Sequence, residues 1–102
     1  MTSWEIEFNY SRAIQQASQL DGVANRLKQA ASRDMDGILN ELSRAWKSDS
    51  APQYIQKGQK AGNDILAVSQ QLKKIADAIR TIARQVRDAE MEAWRIANER
   101  GS

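Results

Sequence analysis

From Tyr54 to Ile96 the apolar and small residues recur at steps of four and three without a break: Tyr54, Gly58, Ala61, Ile65, Val68, Leu72, Ile75, Ile79, Ile82, Val86, Ala89, Ala93 and Ile96. A strand repeats every two residues and a helix every 3.6, so this rhythm places an a/d seam of the coiled-coil type along one helix. Ser50 and Gln53 stand at N-cap and N3 spacing, and Pro52 falls in the first turn, where its missing N–H costs little. The spacing predicts a helix over about 52–97, which at ~1.5 Å per residue would run for about 69 Å.

A first stripe precedes it: Tyr10, Ile14, Ala17, Leu20, Ala24, Leu27, Ala31, Met35, Ile38, Leu42 and Ala45. It predicts a helix over about 11–45, with Asn9 or Ser11 able to cap its start. Gly22 and Gly37 each weaken a helix by about 1 kcal/mol relative to Ala. Neither has another breaker beside it, so the helix is expected to run through both, Asp21-Gly22 being a place where a local bend would be no surprise. Residues 46–51 break the rhythm and read as the turn, and 98–102 as a frayed tail. In residues 1–10, Trp4, Ile6, Phe8 and Tyr10 alternate with polar residues, which predicts an extended arm lying on the bundle. The capping-box spacing of Thr2 and Glu5 offers the other reading, a first helical turn.

Composition removes whole classes of chemistry. The 102 residues contain no Cys and no His, so disulfides, thiol nucleophiles, catalytic imidazole and the usual transition-metal ligands are absent. Asp34 and Asp36 point to different faces of a helix, and no Gly-rich phosphate loop or Ser/His/Asp set is present. The chain is expected to be neither an enzyme nor a cofactor carrier. One Pro and five Gly are too few turn signals for a β-rich fold. No stretch approaches the ~18 apolar residues of a transmembrane helix. The N-terminal residues lack the basic region and apolar run of a Sec signal peptide, so export would need another route.

Two helices joined by a short turn pack antiparallel and share one thin interface. Ala76, Ala78, Ala83, Met91 and Trp94 flank the second seam, more apolar surface than one neighbour can cover. The expected fold is therefore all-α: an antiparallel two-helix hairpin that dimerises into an elongated four-helix bundle. The expected seam residues are Ile65, Val68, Leu72, Ile75, Ile79, Ile82 and Val86 with Leu27, Ile38 and Leu42. Gly58 and Gly62 would let backbones approach closely. With 15 basic and 13 acidic residues, nothing demands an oppositely charged partner, so a homodimer is the expected form and a related hairpin protein its alternative.

Leu42, Ala45, Trp46, Ser48, Ala51 and Tyr54, with Trp46-Lys47-Ser48 where a Trp-x-Gly turn would stand, resemble the WXG100 (ESAT-6-like) family. The resemblance covers essentially the whole chain and includes the Ile75-Ala76 and Ile82-Ala83 repeats. It implies a small bacterial protein exported through a type VII (ESX) system, or a helical partner that brings a larger substrate to that machine. It also implies that Trp46 contributes to a surface read by the secretion ATPase. Two positions depart from the pattern. Ser48 replaces the motif glycine. The family's Tyr-x-x-x-Asp/Glu export signal is represented only by Trp94-x-x-x-Asn98, a degenerate form without the charge. Dependence on a partner's signal, or kinship with the helical proteins that accompany LXG-type toxins, is the related expectation.

Lys73, Arg80, Arg84 and Arg87 line the outside of the second helix, interrupted by Asp77. The plain reading is a solvated face; the sharper one is a contact with phosphate or anionic lipid. No aromatic interleaves these cations, which counts against nucleic acid as a partner; a hairpin that binds nucleic acid or anionic membrane through this basic stripe is the alternative function of another class.

Overall fold

The computed structural model describes residues 2–46 and 49–101. The protein is helical, with no strand among these residues. α1 (Ser3–Gln29) passes through a π turn (Ala30–Asp34) into α2 (Met35–Ala45), and α3 (Ala51–Gly101) follows the turn. The arrangement is consistent with a helical hairpin. Packing forms two units, Met1–Leu20 with Lys74–Ser102, and Asp21–Lys73.

The N-terminal residues are not an extended arm. The helix starts at Ser3, because the Glu5 N–H donates to Thr2 Oγ1 at 3.2 Å and the Ile6 N–H donates to the Thr2 carbonyl at 3.1 Å. These bonds satisfy donors that the first turn otherwise leaves open. On a helix, an alternating pattern splits between two faces, since residues four apart align. Ile6 is buried, whereas Trp4 and Phe8 lie outside, their rings stacked at 5.2 Å.

The second helix extends past its predicted end at 97, to Gly101. Arg95 explains the extra turn: its Nε donates to Glu92 Oε2 at 3.1 Å and its Nη1 to Glu99 Oε1 at 2.6 Å. These i,i+3 and i,i+4 links reinforce the last turns. Gly22 and Gly37 are helical, as expected. The helical ladder departs from α geometry at Ala30–Asp34, and α1 is α-helical through Asp21-Gly22.

Within each unit the helices meet along small residues. In the unit of residues 1–20 and 74–102, Ala17 and Ala76 are fully buried and Ala83 is half-buried. In the unit of residues 21–73 the buried line is Ala24 and Ala31 on one side, Gly62 and Ser69 on the other. The Ser69 hydroxyl donates to the Leu66 carbonyl at 2.8 Å, so its burial leaves no unmet bond. Gly62 suits this approach: a Cβ there would stand 3.3 Å from the Ala31 carbonyl oxygen, tighter than such contacts usually are.

The line of α3 buried within the chain therefore runs one residue on from half of the expected dimer or hairpin seam. Gly62, Ser69, Ala76 and Ala83 keep the seven-residue spacing but follow Ala61, Val68, Ile75 and Ile82. Val68 is 48%, Ile75 49% and Ile82 58% exposed, and Val86 is also exposed. Ile65, Leu72, Ile79, Leu27 and Leu42 are half-buried at the rim. Branched side chains on the contact line would hold the backbones apart, so close approach selects Gly, Ala and Ser. Ile38 is likewise outside, 60% exposed, and Leu39, at 8%, occupies the interior of the chain.

The glycines give a direct check. Gly62→Leu should overpack the contact with the Ala31 carbonyl and destabilise by about 1–3 kcal/mol. Gly37→Ala meets nothing within 4 Å, and should stabilise by about 0.5–1 kcal/mol. Urea denaturation followed by circular dichroism would separate the two, the first lowering and the second raising the midpoint.

Candidate functional site

Trp46 terminates α2. Its backbone leaves the helical region (φ −98°, ψ 102°), while its N–H still donates to the Leu42 carbonyl at 2.8 Å. The extended conformation turns the chain toward Asp49 and Ser50, and α3 begins at Ala51 with the Tyr54 N–H reaching the Ser50 carbonyl at 3.4 Å. This places Trp46 against the first turn of α3, where its ring stacks on Tyr54 at 5.3 Å with planes 29° apart. Lys57 Nζ sits 5.5 Å from the Tyr54 ring centroid. The result is a layered Trp46–Tyr54–Lys57 surface, with Trp46 36% and Tyr54 54% exposed. Aromatic pairs of this kind offer large rigid contact area with a polar edge, which suits recognition by a partner. Ser48, the motif's third position, lies outside the described residues.

The second element is on α3: exposed Val68 with half-buried Ile65 and Leu72 in the unit of residues 21–73, and a row of exposed Ile75, Ile82 and Val86 with half-buried Ile79 in the unit of residues 1–20 and 74–102. Towards one end the row becomes one wall of an apolar groove of ≈ 290 Å³, to which α1 contributes Ile6, Tyr10 and Ala13. Arg87 closes the groove. Its guanidinium carbon lies 4.2 Å from the Tyr10 ring centroid, and its Nε donates to Asp88 Oδ1 at 3.1 Å. The Asp88 hydrogen bond raises the Arg87 pKa further above its usual value, so its charge is fixed.

Trp94 is partly exposed and lines a shallower groove with Ile6, Glu90, Ala93 and Ala97, while Asn98 is exposed. The basic stripe is partly engaged within the chain: Arg80 pairs with Asp77 at 3.0 Å and Arg87 with Asp88. Among the described residues no group of three or more His, Cys, Asp or Glu could hold a metal ion, and no helix is long and apolar enough to cross a membrane.

Sequence reasoning placed Trp46 and the branched row, and missed the Tyr54–Lys57 continuation of the aromatic layer and the Trp4–Phe8 stack. The i,i+3 spacing of Tyr54 and Lys57 and the i,i+4 spacing of Trp4 and Phe8 were available signals, since both spacings put side chains together on a helix.

The charged cluster near the C-terminus predicts a pH response. The Arg95 hydrogen bond and charge hold the Glu92 carboxyl below the usual carboxylate range and raise Arg95. A carboxyl depressed in the folded state supports that state above its unfolded pKa and loses the contribution as pH falls through the folded one. Cα chemical shifts of residues 92–100 should therefore move toward coil values below the usual carboxylate range, and Arg95→Gln should abolish that transition by loosening the turns at neutral pH. No family model, curated protein or solved structure matches the chain.

Proposed function

We propose that this chain is a WXG100-like protein of a bacterial type VII (ESX) system and acts through helix-mediated protein–protein interaction. It is either a secreted substrate or a helical partner that brings a larger substrate, such as an LXG-type toxin, to the secretion ATPase. The observation that carries the reading is the set of exposed branched residues Val68, Ile75, Ile82 and Val86 on a helix whose adjacent face is already packed by small residues. One helix thereby offers two neighbouring faces, one for its own chain and one for another. Covering the exposed half of each branched side chain is worth about 1 kcal/mol at ~25 cal/mol per Å². The partner on this reading is a second copy, forming a four-helix bundle, or a related hairpin protein.

The layered Trp46–Tyr54 surface supports the same reading. It stands at the end of a helix pair, where a recognition patch is accessible without opening the seam. Trp94 and Asn98 are exposed as a degenerate export signal requires, but they carry no acidic group at the fourth position. Export on this reading relies on a signal supplied by the partner, without a Sec signal peptide.

Two outcomes are expected. Ile75→Lys with Ile82→Lys should leave helicity intact, because neither side chain is in the small-residue seam, and should reduce the sedimenting mass to one copy. In cells, the protein should reach the culture supernatant only when the type VII ATPase is intact. Equal amounts from ATPase-null cells would remove the secretion reading, and a monomeric parent chain would remove the pairing.

A further inference from the structure

The π turn shapes the surface beside it. The Met35 N–H, which an α-helix would give to the Ala31 carbonyl, goes to the Ala30 carbonyl in an i→i+5 bond. Across from the turn, α3 has no side chain at Gly62, where a Cβ would stand 3.3 Å from the Ala31 carbonyl oxygen and 3.5 Å from Met35 Cγ. A groove of ≈ 270 Å³ opens here, lined by Ala31, Met35, Asp36, Gln59, Gly62 and Asn63. Single π turns within α-helices are frequent at functional sites.

The polar lining has one chemical character. Asp36 brings a carboxylate, which only accepts hydrogen bonds, and Gln59 and Asn63 bring amides that can turn their oxygens toward a donor. Among the described residues these three side chains have no hydrogen-bond or ion-pair partner, and no cation lines the groove. Lys60, beside Gln59 in sequence, is engaged by Asp64 at 3.4 Å. An uncompensated carboxylate repels anions, so the fitting occupant is a cation with several donors. A bare calcium ion takes about six to eight oxygens and needs more carboxylate than one aspartate, and the groove is far larger than an ion. An ammonium gathers three donors on one atom, whereas a guanidinium spreads five over a plane, which suits acceptors standing on two helices. Met35 adds an apolar wall against which the alkyl stem of such a group can lie.

We propose that this groove binds an alkylguanidinium, the chemistry of an arginine side chain. Asp36 takes the charge, Gln59 and Asn63 accept from the remaining N–H groups, and the stem rests on Met35. Around α3, Gln59 and Asn63 stand about 180° and 140° from Val68, at 100° per residue. The groove is therefore on a different side of this unit from its exposed branched residue, and it stays open when that residue is covered. The site depends neither on the secretion reading nor on pairing.

The probes are N-acetylarginine amide, its uncharged isostere N-acetylcitrulline amide, and N-acetyllysine amide. In amide proton–nitrogen correlation spectra of the whole chain, the arginine compound should move the side-chain amide signals of Gln59 and Asn63 and the backbone signals of residues 31–36 along one saturable curve. The lysine compound should bind several-fold more weakly, and the citrulline compound should give no saturable shift. Asp36 is exposed, so Asp36→Asn should keep its helicity while weakening binding roughly tenfold or more. Gln59→Lys, which puts a cation of the chain's own in the groove, should block binding. Agmatine and a glycine-arginine-glycine peptide with blocked ends separate the sources. Binding of the peptide assigns the arginine of another polypeptide, binding of agmatine with the peptide excluded assigns a free guanidino compound, and either supports the site. No saturable shift with the arginine compound, equal binding of the citrulline or lysine compound, or undiminished binding by both variants would each overturn the proposal.

Discussion

Close approach of helices along a line of glycine, alanine and serine is the constraint from which the rest of this structure follows. Ala17 and Ala76 in one unit, and Ala24, Ala31, Gly62 and Ser69 in the other, have little or no side chain to keep two backbones apart. Short separation brings many backbone atoms into dispersion contact, and each such contact is small while the sum is large. The Ala31 carbonyl beside Gly62 marks how near the limit this packing lies.

The same constraint decides where the large residues go. With the contact line of α3 given to small side chains, the valines, isoleucines and leucines of that helix are displaced to its rim or beyond it. Ile65, Leu72 and Ile79 are half-covered there, and Val68, Ile75, Ile82 and Val86 are left largely in solvent. A coiled-coil seam of branched residues would have consumed these side chains within the chain. An alanine-type seam leaves them outside, where regularly spaced apolar groups constitute an interaction surface.

Local bonding settles the ends and the turn. Thr2 fixes the start of α1, Arg95 extends the last turns of α3, and the extended backbone of Trp46 sets its indole against Tyr54. None of these groups is buried, and each acts through a hydrogen bond or ring contact between residues near in sequence or joined by the turn. The functional surface at Trp46 is therefore held by short-range geometry, while the branched row on α3 is a by-product of long-range packing.

The sequence by itself determined that the chain is helical, that a turn lies between Trp46 and Ala51, that α3 is continuous, and which residues carry apolar weight. Those properties come from periodicity, capping residues and the position of Pro52, all readable over a few turns of chain. It also held the small-residue series Ala17, Ala24, Ala31 and Gly62, Ser69, Ala76, Ala83. Nothing local distinguished that series from the neighbouring Val68, Ile75, Ile82 series with the same spacing. Only tertiary structure chose between them, because the choice depends on how near a second backbone comes. It likewise decided for Leu39 over Ile38, since the extra residue of a π turn leaves no mark in composition.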